Sequence, residues 1–266
     1  MRDLVAGRAV AAAALFDAEA VEPGDPPFHL TRTSTGWVLH GSVAFVPDAT
    51  AAGRLLVLAD GTGDDPVVVA LDPSVDGVTI VDRPVLDETR SFASVILDGV
   101  AVADDAVARF AGDPDASVRR LLDRAALAVA CDSLGLSEAM LAATVAYAGE
   151  RRQFGRPIGS FQAVKHQCAD ALVQLTLARE LVVAAVRHVA DVDDPTASVA
   201  VSMAKAYTCA AAVDIVGTAL QLHGGIGYTW ESGLHVHLKR ATLNRSLFGA
   251  PTAHRHRLAR RYERPA

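Results

Sequence analysis

Two short stretches combine charged, amide and glycine residues at spacings that a structural helix does not require. The first, ERRQFGRPIGSFQ at residues 150–162, sets Arg151 three residues before Phe154 and ends on Gln162. A guanidinium clamps a pyrophosphate through two parallel N–H donors. An aromatic side chain nearby supplies a face for a purine to stack on. Gly155 and Gly159 are expected to let the backbone approach the ligand closely. The second stretch, QLHGGIGYTWE at residues 221–231, offers the amide of Gln221. Its Gly224 and Gly225 would admit phosphate oxygens to backbone N–H groups. Each motif alone is ambiguous: HGGIG is not the GxGxxG pattern, and glycine after a helix is commonly only its C-cap. Together they point to a nucleotide carrying a diphosphate.

Other chemistries are weaker. His235 with His237, and His254 with His256, stand two apart on helices, roughly 200° around the axis, so neither pair shares one metal ion. All four are expected at the surface or as caps. His223 is expected to cap a helix end or to pack beside the nucleotide. There is no GxSxG and no Cys/His nucleophile signature. Cys131, Cys168 and Cys209 lie far apart and are expected as reduced, buried thiols of a cytoplasmic protein. A net charge of −6 argues against a nucleic-acid partner, and the basic tail RHRLARRYER at 255–264 reads as a solvated helix end. No uninterrupted apolar run reaches the roughly 20 residues of a membrane span, so no membrane partner is expected. VAAAALF at 10–16 reads as a strand or short helix rather than a signal peptide.

The elements that must position these residues fall into two regions. Residues 1–112 read as a β-domain. GWVLHGSVAFV places Trp37, Leu39, Val43 and Phe45 on one face at period two, and RLLVLAD, PVVVALD, GVTIVD and FASVILDGVAV add strands. GTGDD at 61–65 is the turn between two of them. Asp98-Gly99 reads as a tight turn or a bulge. FAGDPDAS at 110–117 is a boundary, with Asp115 or Ser117 as the expected cap of the next helix. Residues 113–266 then read as a helical bundle. A first helix covers 117–151. The second steps through Phe161, Val164, Cys168, Leu172, Leu175, Ala178, Val182, Ala185 and Val189. A third starts at Thr196 or Ser198, HGGIGYT is a loop, a fourth covers 231–246, and a last helix follows FGAP. The fold class is therefore α+β: a β-barrel or sandwich followed by an up-down bundle of four long helices.

On these residues the chain resembles the acyl-CoA dehydrogenase family. YAGERRQFGRPIGSFQAVKHQCADA looks like that family's ERxxFGxxxxxFQ segment, ALQLHGGIGYTWE like its QxxGGxGY segment, and DETRSFASVILDGVAV like the end of its central β-domain. The resemblance implies that both bundle motifs hold the ADP part of FAD across a subunit interface. It makes Arg151, Phe154, Gln162, Gln221, Gly224 and Gly225 the cofactor-contact positions. It also implies an acyl-CoA substrate, oxidised between its α and β carbons, and an electron-transfer flavoprotein as the acceptor.

Three departures qualify the likeness. The family carries a helical domain ahead of its β-domain, whereas residues 1–16 here resemble the segment that enters the β-domain; the chain is expected to be a short subunit or a fragment. The glutamate that removes the α-proton in the family is replaced, because SLFGAP puts Phe248 at its usual position and Ala125 occupies the alternative one. Neither accepts a proton. Asp123 should face away, Asp132 and Glu138 are expected in a structural role, in a partner pair or on the solvent face, and Glu231 and Glu263 are the remaining carboxylates. Finally, LFDAEAVEPGD places Phe16 and Asp17 where the family has hydroxyls, and AFVPDA offers Phe45, Val46 and Pro47 where an aromatic-x-Thr segment meets the flavin.

The losses concern a subunit's own active site, while the retained motifs serve a neighbour's flavin. The expectation is a non-catalytic subunit that pairs with a full-length acyl-CoA dehydrogenase paralogue and completes its FAD site. Two alternatives stand beside it: an active homo-oligomer with another base, and a helical scaffold without flavin. A scaffold needs neither Arg151 nor Gln221.

Overall fold

The structure is a computed structural model and describes residues 4, 6–34, 36–61 and 65–261. The centre of the predicted 61–65 turn and Glu263 lie outside the described residues. The chain divides into two compact units, Met1–Leu122 and Asp123–Ala266.

The first unit holds β1 (Ala11–Ala14), β2 (Phe28–Thr33), β3 (Gly36–Pro47), β4 (Arg54–Asp60), β5 (Pro66–Leu71), β6 (Val78–Asp82), β7 (Phe92–Val102) and β8 (Val107–Arg109). They form one mixed sheet in the order β6-β7-β3-β2-β4-β5-β8, and β1 adds in parallel to β4. Period-two alternation buries one face of each main strand, so Phe28, Leu39, Leu55, Val57, Val69 and Val95 form a single core. Gly41 is obligatory where β3 crosses β2: a Cβ there would stand 2.4 Å from the carbonyl oxygen of Pro27.

Two bulges shift the alternation. Asp98 and Gly99 together oppose His40, so this pair is a bulge within β7 rather than a turn, with Gly99 at φ 70°. On β3, the register slips between Val43 and Val46, and Phe45 takes φ 55°. Trp37, Leu39 and Val43 point inward as expected, but Phe45 is 45% exposed and Val46 takes the buried place. One inserted residue reverses the face of everything after it.

The helical region contains α1 (Pro114–Glu150), a two-stranded ribbon of β9 (Arg152–Gln153) and β10 (Arg156–Pro157), α2 (Gln162–Ala190), α3 (Ala197–His223), α4 (Leu234–Ser246) and α5 (Pro251–Arg260). The cap of α1 is Asp113, whose carboxylate accepts the Ala116 N–H at 3.2 Å, in place of the expected Asp115 or Ser117. Pro114 then fits the first helical position, where no N–H is needed.

Core clusters give the directions of the helices. Ala126, Leu127 and Ala130 of α1 meet Val182 and Ala185 of α2 and Val201 and Ala204 of α3. Farther along α1, Leu141 meets Ala171 and Leu175 of α2 and Ala211 and Ile215 of α3. Hence α1 and α3 run the same way and α2 runs against them. Leu234 and Leu238 of α4 pack near Val216 and Leu220, while Asn244 reaches the Lys205 level, so α4 returns against α3. The bundle is up-down-up-down, but its fourth helix is short and begins at Leu234 rather than 231. On α2, Ala171 takes the inward place expected of Leu172, which is 53% exposed; the neighbouring position lies about 100° around the helix.

Two further expectations are corrected. By length and composition alone, α1 and the Ala197–Tyr228 segment are both apolar enough to cross a membrane. Of their most apolar windows, 50% and 61% are buried inside the structure. Only Cys209 is a buried thiol; Cys168 is half-buried and Cys131 exposed.

Candidate functional site

The first motif folds as a hairpin directly beyond α1. The Arg151 N–H donates to the Tyr147 carbonyl at 2.8 Å, ending the helix, and the Ile158 N–H donates to the Arg151 carbonyl at 2.7 Å. Between them β9 and β10 pair Gln153 with Arg156. The two connecting residues, Phe154 and Gly155, have φ of 52° and 79°. Two successive positive φ values define the primed two-residue turn that matches strand twist. This geometry throws the Phe154 ring outward, where it is 91% exposed. Its edge meets Phe161 at 6.1 Å, and the Arg156 guanidinium lies 4.0 Å over the Phe161 ring. The Arg151 side chain is exposed and makes no hydrogen bond or ion pair among the described residues. Gln162 opens α2 and is exposed.

Glycines expected to serve a ligand here have local causes. Gly155 occupies the left-handed turn position. A Cβ on Gly159 would lie 2.9 Å from the Ala148 carbonyl oxygen, so it lets the loop pack on α1.

The second motif ends α3. Gly224, at φ 64° and ψ −146°, donates its N–H to the Gln221 carbonyl, and residues Gly224–Tyr228 continue as a 3-10 turn rather than an open loop. Gly227 folds this turn back onto the helix; a Cβ there would meet the Leu220 carbonyl oxygen at 2.6 Å. Gly224 and Gly225 differ from it. Nothing stands within 4 Å of where their Cβ atoms would be, and both are exposed, as is Gln221. A ligand can approach this backbone without displacing a side chain.

The two motifs meet at one end of the bundle. Tyr147, one turn before Arg151, stacks on His223 with ring centroids 4.4 Å apart and planes 23° from parallel. Its hydroxyl donates to the His223 carbonyl at 3.3 Å. The His223 Nδ1–H donates to the Ala219 carbonyl at 2.7 Å, which caps the helix end as anticipated. Sequence reasoning passed over Tyr147; its place four residues before Arg151, on the same helical face, was the available signal.

An adenosine diphosphate suits this set: an uncommitted guanidinium, an exposed ring in a pre-set turn, two exposed amides and an open glycine backbone. The β-domain does not suit a flavin ring in the same way. Phe16 and Asp17 line a cleft of about 430 Å³ with Glu22 and Asp25. Val46 is buried, and Pro47 lies in the strand ladder opposite Phe92. Ser42 is the hydroxyl residue lining that cleft, while Phe16, Asp17 and Pro47 hold the positions where the resemblance expects flavin contacts.

The position of the expected base is occupied by packing. Phe248 lies against the cluster of Leu127, Val182 and Val201. Its backbone has φ 51°. His254, fully buried, donates Nε2–H to the Phe248 carbonyl at 2.9 Å and accepts from the Ser202 hydroxyl at Nδ1, 3.2 Å away. Burial lowers its pKa to about 4, so it is neutral; it is a core histidine, neither a surface residue nor a cap. Ala125 is half-buried. Asp123 is held by Arg257 at 3.0 Å and by the Ser198 hydroxyl. Arg240 and Asn244 hold Asp132, at 2.8 Å and 2.6 Å. Arg179 holds Glu138 at 2.8 Å. Hydrogen bonds from its own N–H and from Thr229 hold Glu231 below the usual carboxylate range. Glu231, stabilised as an anion, is a poor base. Trp230 is 73% exposed; its ring meets His235 edge-on with centroids 4.4 Å apart, and Lys239 lies 5.0 Å over it. Among the described residues no group of three potential ligands could hold a metal.

Comparison with known proteins identifies the family and the fold. The family described as "Acyl-CoA dehydrogenase, C-terminal domain" matches residues 116–263. Acyl-CoA dehydrogenase IpdE2 of Mycolicibacterium smegmatis is 33% identical over 222 residues, covering 82% of this chain and 62% of its own length. The chain thus spans about three-fifths of that relative. The butyryl-CoA dehydrogenase structure from Megasphaera elsdenii superposes with a TM-score of 0.87 at 24% identity, over 98% of this chain and 70% of its own, a likeness of fold. The ChsE4-ChsE5 complex from Mycobacterium tuberculosis gives a TM-score of 0.85 at 26% identity, over 99% and 69%.

Proposed function

The chain belongs to the acyl-CoA dehydrogenase family, and from that premise we propose that it is a subunit which lends the ADP-binding part of an FAD site to a full-length paralogue. The paralogue supplies the base and most of the acyl-CoA cavity. The observation that carries this reading is the contrast within one bundle. Arg151 and Phe154 stand exposed in a pre-formed turn, while Phe248 is packed on the core where a base is expected.

In this reading Arg151 clamps the diphosphate, Phe154 stacks on the adenine, and the amides of Gln162 and Gln221 orient the nucleotide. The N–H groups around Gly224 and Gly225 meet phosphate oxygens. FAD, when bound, supplies the hydride acceptor for α,β-dehydrogenation of the thioester, and an electron-transfer flavoprotein would take its electrons. Engagement of Asp123, Asp132 and Glu138 by arginines favours a non-catalytic role over a homo-oligomer with another base. The similarity to the ChsE4-ChsE5 complex supports an assembly of two unlike chains. A cytoplasmic location fits three free cysteines. The residues 1–112 and 113–266 would be its working parts.

The test is the visible spectrum of the purified chain, alone and co-expressed with a full-length family paralogue. The reading expects a colourless chain that becomes yellow in the complex, at one flavin per pair. A lone chain that is yellow and bleached by an acyl-CoA would refute it.

A further inference from the structure

The nucleotide motifs lie on separate elements, α1 with its hairpin and the end of α3, and nothing in either motif sets their separation. The Tyr147–His223 contact does. Tyr147 is anchored one turn before Arg151, whose N–H it accepts at 2.8 Å. His223 is the last residue of α3, directly before Gly224. The His223 ring is held in place. His223 is nearly buried, and its Nδ1–H is committed to the Ala219 carbonyl at 2.7 Å. Around them, Leu141 with Ile215, and Met140 with Leu220, lock α1 to α3. The stack at 4.4 Å therefore ties the end of α1 to the end of α3.

We propose that Tyr147 and His223 are positioning residues that set the distance between the Arg151 guanidinium and the Gly224–Gly225 backbone, so that one diphosphate spans both. This rests on the nucleotide-site reading above. The stack carries the effect. The hydroxyl contact at 3.3 Å is long for an O–H···O bond and contributes less. A pyrophosphate tolerates little change in the spacing of its donors, because charge-assisted bonds depend on geometry.

The experiment is calorimetric titration with ADP of the flavin-free complex between the full chain and its full-length paralogue, well below its melting temperature, with this chain as wild type, Y147F, Y147L and R151A. Y147F keeps the stack and is expected within about twofold of wild type, whereas Y147L keeps an apolar side chain but loses the stack and should bind about tenfold more weakly. R151A should also lose about tenfold or more. A purely structural role would lower the melting temperature of Y147L and leave its ADP affinity unchanged. That result, with R151A weakened, overturns the positioning role and leaves the site standing. If wild type does not bind ADP, or R151A binds it equally well, the site reading fails and the positioning role falls with it. Should Y147L not fold, His223→Leu removes the same stack from the other side and is read identically.

Discussion

Lys205 Nζ lies 2.8 Å from the carbonyl oxygen of Gly249, and both groups are buried. The same ammonium donates to the carbonyls of Asn244, at 3.1 Å, and Arg245, at 3.4 Å. A fully buried lysine with no carboxylate beside it is uncommon. Here the C-terminal end of α4 replaces the carboxylate, since its unpaired carbonyls carry the negative end of the helix dipole. Lys205→Met should leave these carbonyls unsatisfied and destabilise the chain by about 2–4 kcal/mol, read as a lower urea midpoint with unchanged slope. A midpoint equal to wild type would show that the carbonyls find other partners.

Arg151→Ala should reduce the flavin retained by the purified complex several-fold while the isolated chain melts within about 2 °C of wild type, because an exposed side chain without partners contributes little to folding. Flavin content per complex, by absorbance after gel filtration, checks this. Undiminished flavin would count against the proposed role.

Phe154→Ala tests the adenine contact. Base–aromatic stacking is worth about 1–3 kcal/mol, so flavin dissociation from the complex should accelerate roughly tenfold. The ring is 91% exposed, and its removal should not lower the melting temperature.

Phe248→Glu, by itself, should yield no acyl-CoA turnover in the isolated chain. The substitution restores a carboxylate, but Phe16, Asp17 and Pro47 remain where flavin contacts are expected. Measurable bleaching of added FAD by an acyl-CoA would show that the chain's own site is more complete than proposed.

His254 predicts an acid-sensitive fold. Its folded pKa of about 4 lies below the ordinary histidine value of 6.5, so the unfolded chain binds more protons between those limits. Stability from this group is complete above pH 6.5 and falls as the pH drops toward 4, by on the order of 3 kcal/mol. His254→Gln retains an amide donor for the Phe248 carbonyl and cannot titrate. Its urea midpoint should decline less between pH 7 and pH 4.5; an identical decline would exclude His254 as the cause.

Much of the architecture was legible because it depends on local periodicity. Period two marked the main strands, three-four steps marked α2, and proline and glycine marked the boundaries. The deviations share a cause. Phe45 left the core because a single inserted residue on β3 reverses the facing, and Leu172 lost its inward place to Ala171 because neighbouring helices, and not α2, decide which arc is covered. The cap moved to Asp113 because its carboxylate reaches the Ala116 N–H, a choice among three nearby candidates that composition cannot make.

For the site, the chain's residue types alone determined the two motifs proposed to hold a nucleotide and the phenylalanine at position 248. Arg, Phe, Gly and amide residues carry that chemistry wherever they stand. Tertiary structure decided which of them remain uncommitted. It left Arg151 and the Gly224–Gly225 backbone open, assigned Gly159 and Gly227 to packing, and bound Asp123, Asp132 and Glu138 to arginines. It also joined the two motifs through Tyr147 and His223, which stand 76 residues apart in the chain. Commitment of a polar group depends on partners brought together by folding, and no local pattern encodes a contact across that separation.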